Sequence, residues 1–79
     1  MTNLEKYKYA FCEAFQIEES KLNGLFYQAI TTWDSVGHMA LVAALEQEFD
    51  IMMETDDIID LSSFEKGMEI LSKNYEIVF

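Results

Sequence analysis

Apolar residues recur at intervals of three and four along most of this 79-residue chain, the spacing of a buried helical stripe. From Asn3 to Gln16, Leu4, Tyr7, Phe11 and Phe15 fall on one face. The opening "TNLE" has the form of a capping box, with Thr2 as the cap and Glu5 reaching back. A second helix is predicted from about Ser35 to Asp50. At about 100° per residue, His38, Leu41, Val42, Leu45 and Phe49 share one of its faces, and Val36, Ala40, Ala43 and Gln47 share the opposite one. The first face suits a core, whereas the second is unusually apolar for a solvated surface. "TDDIID" reads as one short helix, with Thr55 as its cap and Asp56 and Asp57 near the positive end of the helix dipole. In "LSSFEKGMEILSKNY", Phe64, Met68, Leu71 and Tyr75 align on one face, and Ser62 with Glu65 has capping-box spacing. The apolar tail "YEIVF" is expected to cover one end of the bundle.

Between these segments, Ile17 to Trp33 lacks sustained helical periodicity. A structureless connection of that length is uncommon inside a compact domain. Leu22, Leu25, Phe26, Ile30 and Trp33 are therefore expected to pin it to the core as a packed crossover, with a helical turn near Ser20 to Leu22. The predicted fold is all-α: a small bundle of three main helices plus one short helix, with a long loop after the first helix, and residues 1–79 forming one domain. The chain has no proline and only three glycines, which argues against a turn-rich β protein. Repeats, low-complexity tracts and linkers are absent.

Charge narrows the function. Fifteen acidic residues against five lysines leave a net charge of −10. Such a surface disfavours nucleic acid, anionic lipid and polyanionic substrates, and favours partners with basic docking surfaces. Cys12 is the only cysteine, so no internal disulfide is possible and a reducing compartment is the simplest setting. The start "MTNLEKYKYAF" has no signal-peptide core and no run reaches membrane-spanning length. A cytoplasmic monomer without membrane insertion is expected.

The candidate chemistry centres on Ser35 in "TTWDSVGHMALVAALEQEF". Asp34 and Ser35 are both favoured helix caps, and a cap alone is worth around 1 kcal/mol. A nucleophile is the second reading, prompted by the proximity of Asp34, Ser35 and His38. It fails on geometry, because the helix layout turns His38 toward the core stripe and leaves Asp34 at the open end beside solvent. A working triad needs the reverse, and the Gly-x-Ser-x-Gly elbow is missing, with Trp33 and Gly37 in its place. The third reading is an attachment point. A phosphodiester on Ser35 would sit where unpaired amides and the helix dipole favour negative charge, and Val36, Ala40 and Ala43 would offer an apolar face to an enzyme engaging the attached group. Local physics does not choose between the cap and the attachment point.

"DSVGHMALVAALEQEFDI" closely resembles the phosphopantetheine attachment region of acyl carrier proteins: Asp-Ser followed by an aliphatic residue, then spaced aliphatics, then an acidic segment ending in Glu-x-Phe. Helix order, the long first loop, the short helix at "TDDIID", length and acidity extend the likeness over nearly the whole chain. The resemblance implies a carrier and not an enzyme. A phosphopantetheinyl transferase would move the arm from coenzyme A onto Ser35, making the chain a phosphoprotein, and the arm's thiol would hold acyl groups as thioesters. By the same resemblance, Asp34 assists transferase recognition and Val36 contacts partners, while Glu46, Gln47 and Glu48 form the docking segment for acyl-loading and acyl-processing enzymes. Complementary charge there chiefly speeds encounter and sets orientation.

The departures point to a specialised pathway. Carriers of primary fatty acid biosynthesis commonly show Gly-x-Asp-Ser-Leu where this chain has "TTWDSV", and Gly37, Ala40, Ala43 and Gln47 stand at positions that are often acidic in the family. A secondary metabolite, a surface glycoconjugate or an aminoacyl group are the cargoes these departures suggest. Peptidyl carriers typically have Gly-Gly-x-Ser-Leu, and Asp34 points away from them. A further alternative is an acidic helical adaptor with no prosthetic group.

Met39, Met52, Met53 and Met68, with Leu71, could line a deformable acyl pocket; ordinary core filling is the competing use of methionine. His38 is expected to be partly buried and hydrogen-bonded to the long loop, with no metal role, because no second ligand has suitable spacing. "ETDDIID" lacks the glycine and alternating ligands of an EF-hand and reads as a solvated acidic cap.

Overall fold

A computed structural model describes all of residues 1–79. Four α-helices follow one another: α1 (Asn3–Phe15), α2 (Ser35–Phe49), α3 (Thr55–Asp60) and α4 (Phe64–Asn74), with a single 3-10 turn at Glu19–Lys21 inside the long crossover. This is the predicted all-α bundle of three main helices and one short one. No helix is long and apolar enough to cross a membrane.

Local chemistry explains the helix ends. Thr2 accepts the Glu5 amide while the Glu5 carboxylate accepts the Thr2 amide at 2.8 Å, the expected capping box. That hydrogen bond to the backbone holds the Glu5 carboxyl below its ordinary range. α1 and α2 both stop at a left-handed residue, Gln16 and Asp50, whose amides return to Cys12 and Glu46. Two predicted caps are displaced. Thr55 is the first residue of α3 and not its cap; Glu54 holds the cap position without a side-chain bond. For α4 the cap is Ser63, which accepts the Lys66 amide at 3.0 Å, and not Ser62. Glu65, no longer needed for a capping box, accepts the Gly24 amide and ties the crossover to α4.

The core is a chain of aromatic rings running from α1 to the end of the crossover. Tyr7, Phe11 and Phe15 are fully buried with Trp33, and Phe64 joins them from α4. Trp33 stacks on Phe15 at 4.9 Å and meets Phe11 edge-on, a geometry worth about 0.5–1.5 kcal/mol per pair beyond burial. Leu41, Val42 and Leu45 supply the α2 side, as its periodicity predicts. Gly67 lets α4 approach α1 closely, because a Cβ there would run into the Tyr7 hydroxyl and lie 2.7 Å from a Leu61 methyl.

The crossover is pinned as expected by Leu22, Leu25 and Trp33, with Ile30 partly buried. Phe26 departs from expectation and is 59% exposed. The backbone causes this. Tyr27 donates to Ser62 and Phe64 donates to Leu25, so the two strands of chain pair in extended form and neighbouring side chains point to opposite sides. Leu25 points in and Phe26 out. The C-terminal tail closes one end, with the Phe79 ring against Tyr7 and Phe49 and the Val78 carbonyl accepting from Asn3.

Candidate functional site

Ser35 is exposed and is the first residue of α2. Its position follows from its neighbours on both sides. Trp33, two residues earlier, is wholly buried in the aromatic chain, which anchors the end of the crossover. Asp34 then turns the chain: its carboxylate accepts the Gly37 amide at 2.8 Å and its carbonyl accepts the His38 amide. Asp34 is therefore the cap, and the Ser35 hydroxyl takes no part in it. The Ser35 and Val36 amides have no partner in the chain. Gly37 is buried because the Thr32 carbonyl lies against it, where any Cβ would collide. An acidic residue at that position is thereby excluded by the path of the crossover.

His38 bridges three elements. Its Nδ1 accepts the Trp33 indole N–H at 3.0 Å, and its Nε2 donates to the Ile58 carbonyl of α3 at 2.7 Å. The bond to the crossover is the one expected from the sequence, while the bond to α3 had no sequence signal. Both ring nitrogens are engaged, and Asp34 is occupied with Gly37. Asp34, Ser35 and His38 thus form no mutually hydrogen-bonded set.

Beside Ser35 lies a cleft of about 410 Å³ between α2 and α3, with the crossover on a third side. Tyr27, Ser35, His38, Met39, Ile58, Ile59, Leu61 and Ser62 line it. Of the residues expected to line an acyl pocket, only Met39 lines this cleft. Met53 and Leu71 are buried in the core and Met68 packs partly buried against it, while Met52 is 85% exposed. Met53 is core filling, Met68 packs at the core edge and Met52 does neither; the cleft is walled by the short helix and not by α4. The sequence signal for its isoleucines is the apolar pair Ile58–Ile59 set between Asp57 and Asp60, and Ile59 is 71% exposed.

The outward face of α2 is apolar as read: Val36 is 79% exposed, and Ala40, Ala43 and Gln47 are exposed with it. The acidic segment divides. Glu46 is tied inward, accepting the Met53 amide at 3.0 Å and shaping the connection to α3. Gln47 and Glu48 instead line a groove facing α1 with Tyr9 and Glu13. Asp57 is similarly occupied, accepting from Asn74 and Tyr75. Nowhere do three His, Cys, Asp or Glu side chains converge as a metal site would require. Cys12 is half-buried, and burial raises its thiol above the ordinary range, with Glu19 and Glu13 adding to the shift.

No family model, curated protein or solved structure matches the chain.

Proposed function

We propose that the protein is a carrier, with Ser35 as the attachment residue for a phosphopantetheine arm, working in a specialised biosynthetic pathway of the acyl carrier kind. The observation that carries this reading is the division of labour at the start of α2. Asp34 caps the helix, so the adjacent exposed hydroxyl is left without a structural task.

The surroundings fit the group. Two unpartnered amides, of Ser35 and Val36, sit at the positive end of α2, where a phosphate diester is favoured. The apolar cleft opens at the attachment residue itself, giving adjacent shelter from water. When bound, the arm supplies the terminal thiol that carries the acyl group as a thioester. The chain's own residues do the rest. Trp33 and Asp34 hold the junction rigid, and Gly37 lets the crossover lie against the helix. Val36, Ala40 and Ala43 present an apolar face to a transferase and to acyl-processing enzymes. Gln47 and Glu48 add charge complementarity toward basic partners, and Glu46 acts through the backbone it holds. The proposal includes a cytoplasmic setting, supported by a lone cysteine with no disulfide partner.

The test is to incubate the chain with coenzyme A and a broad-specificity transferase and weigh it. Gain of one arm, lost in Ser35→Ala, is the expected result. No modification by several transferases, or modification elsewhere, overturns it. The exposed apolar crest of Val36, Met39 and Ile59 also favours a second reading, an acidic adaptor that carries nothing. A partner bound equally well by Ser35→Ala, with no loading, would decide for that.

A further inference from the structure

The His38 bridge fixes its own protonation state. An indole N–H can only donate and a carbonyl oxygen can only accept. Nδ1 must therefore be bare and Nε2 must carry the proton, so the ring is neutral in a single tautomer. The two bonds tie the crossover to α3 through one side chain, whereas the backbone bond from Tyr27 reaches Ser62, beyond the end of α3. The Ile58 carbonyl belongs to the last turn of a six-residue helix, where C=O groups lack intrahelical partners. Trp33 ends the crossover. His38 lies between them as a wall of the cleft, stacked nearly parallel to Trp33 (14°), with the Tyr27 ring edge-on at 5.6 Å.

We propose that His38 is a proton-operated latch on the cleft beside Ser35: neutral, it fastens the crossover to α3, and protonated, it lets go. A proton taken from solvent at Nδ1 sets one N–H against the Trp33 N–H, and the shared hydrogen bond is replaced by repulsion. Trp33 is fully buried between Phe11 and Phe15 and has nowhere to go. The half-buried imidazole at the cleft is the partner that moves. In swinging out it gives up the Ile58 carbonyl as well, so α3 loses this tie to α2 and the cleft widens along Met39 and Ile59. Glu46 still holds the connection before α3, and Asn74 and Tyr75 still hold Asp57.

The other titratable groups around the ring are few. Tyr27 faces it from the crossover, and Asp34, one turn earlier on α2, is committed to the Gly37 amide. On α3, Asp57 is held by Asn74 and Tyr75, Asp60 lines the groove toward Lys66 and Glu69, and Asp56 is exposed on the first turn. His38 is thus the group at this junction whose charge change removes a hydrogen bond. The latch does not depend on whether Ser35 carries an arm, so its failure and failure of the carrier reading are separate results.

The test is nuclear magnetic resonance on the full, unmodified chain. Nitrogen spectra of His38 at neutral pH are expected to show the Nε2–H tautomer. On acidification, the Trp33 indole proton and the methyl signals of Met39, Ile58 and Ile59 are expected to shift with the midpoint of the His38 ring. Exchange of the indole proton should quicken roughly tenfold, as for loss of one hydrogen bond. In His38→Phe, which cannot take up a proton, those methyl signals should lose that transition. The Nδ1–H tautomer, an indole signal that ignores the His38 titration, or an unchanged acid transition in His38→Phe overturns the proposal. Should His38→Phe fail to fold, the ring and indole titrations of the native chain decide alone.

Discussion

The hydroxyl of Tyr7 donates to the main-chain oxygen of Phe64 across 2.6 Å, joining the middle of α1 to the first residue of α4 in the dry centre of the molecule. The same ring packs against Phe11, Phe64 and Phe79. Tyr7→Phe keeps the packing and removes one buried hydrogen bond. It is expected to lower unfolding free energy by about 1–2 kcal/mol, read as a lower denaturation midpoint at unchanged m-value.

Burial, with the nearby Glu65 carboxylate adding to it, pushes the Tyr7 phenol far above its ordinary value of 10.0. The folded state therefore holds the neutral form. Its contribution is complete below pH 10.0 and is lost as pH rises beyond, because the unfolded chain then releases a proton that the folded chain keeps. Stability should fall above that pH with a Tyr7 share of about 1.4 kcal/mol per pH unit. Tyr7→Phe should show a shallower alkaline slope in urea titrations at stepped pH. The residual slope belongs partly to Tyr75, which burial also raises.

Gly37→Ala places a methyl group against the Thr32 carbonyl. Backbone cannot swing aside as a side-chain tip can, so the crossover must lift from α2. The expected cost is about 2–3 kcal/mol. Trp33 and Ser35 amide signals should shift most. Gly24→Ala is a control of another kind, with open space around it but a positive φ of 76°, and should cost about 1 kcal/mol through strain alone.

Asp34 and Ser35 are adjacent, yet their removal should differ. Asp34→Ala frees the Gly37 amide and is expected to cost about 0.5–2 kcal/mol. Ser35→Ala removes an exposed group outside the cap and should stay within about 0.5 kcal/mol. Thermal unfolding of both variants checks this. A larger loss in Ser35→Ala than in Asp34→Ala would return the cap to Ser35 and remove the support for attachment.

Much of this arrangement was legible along the chain because it is local. The Thr2–Glu5 capping box lies within one turn, and the stripes of α1 and α2 repeat every three to four residues, so each could be read without knowing its partner. The caps of α3 and α4 were misplaced by a single position. Adjacent polar residues such as Ser62 and Ser63 are equivalent in a one-dimensional pattern, and the extended pairing with Leu25 and Tyr27 decides which one faces the helix. That pairing also turned Phe26 outward.

The candidate site divides the same way. The sequence by itself determined that a helix begins at Asp34–Ser35, that its outer face is apolar and that an unstructured crossover must be packed, since helix propensity, amphipathic period and burial all act through near neighbours. Only the tertiary structure decided that Asp34 and not Ser35 is the cap, that Ile58 and Ile59 and not the methionines of α4 wall the cleft, and that Trp33 and Ile58 share one histidine. The last two outcomes turn on contacts between residues as much as 20 positions apart, His38 and Ile58 among them, and hydrogen bonds of fixed direction select among neighbours that periodicity leaves equal.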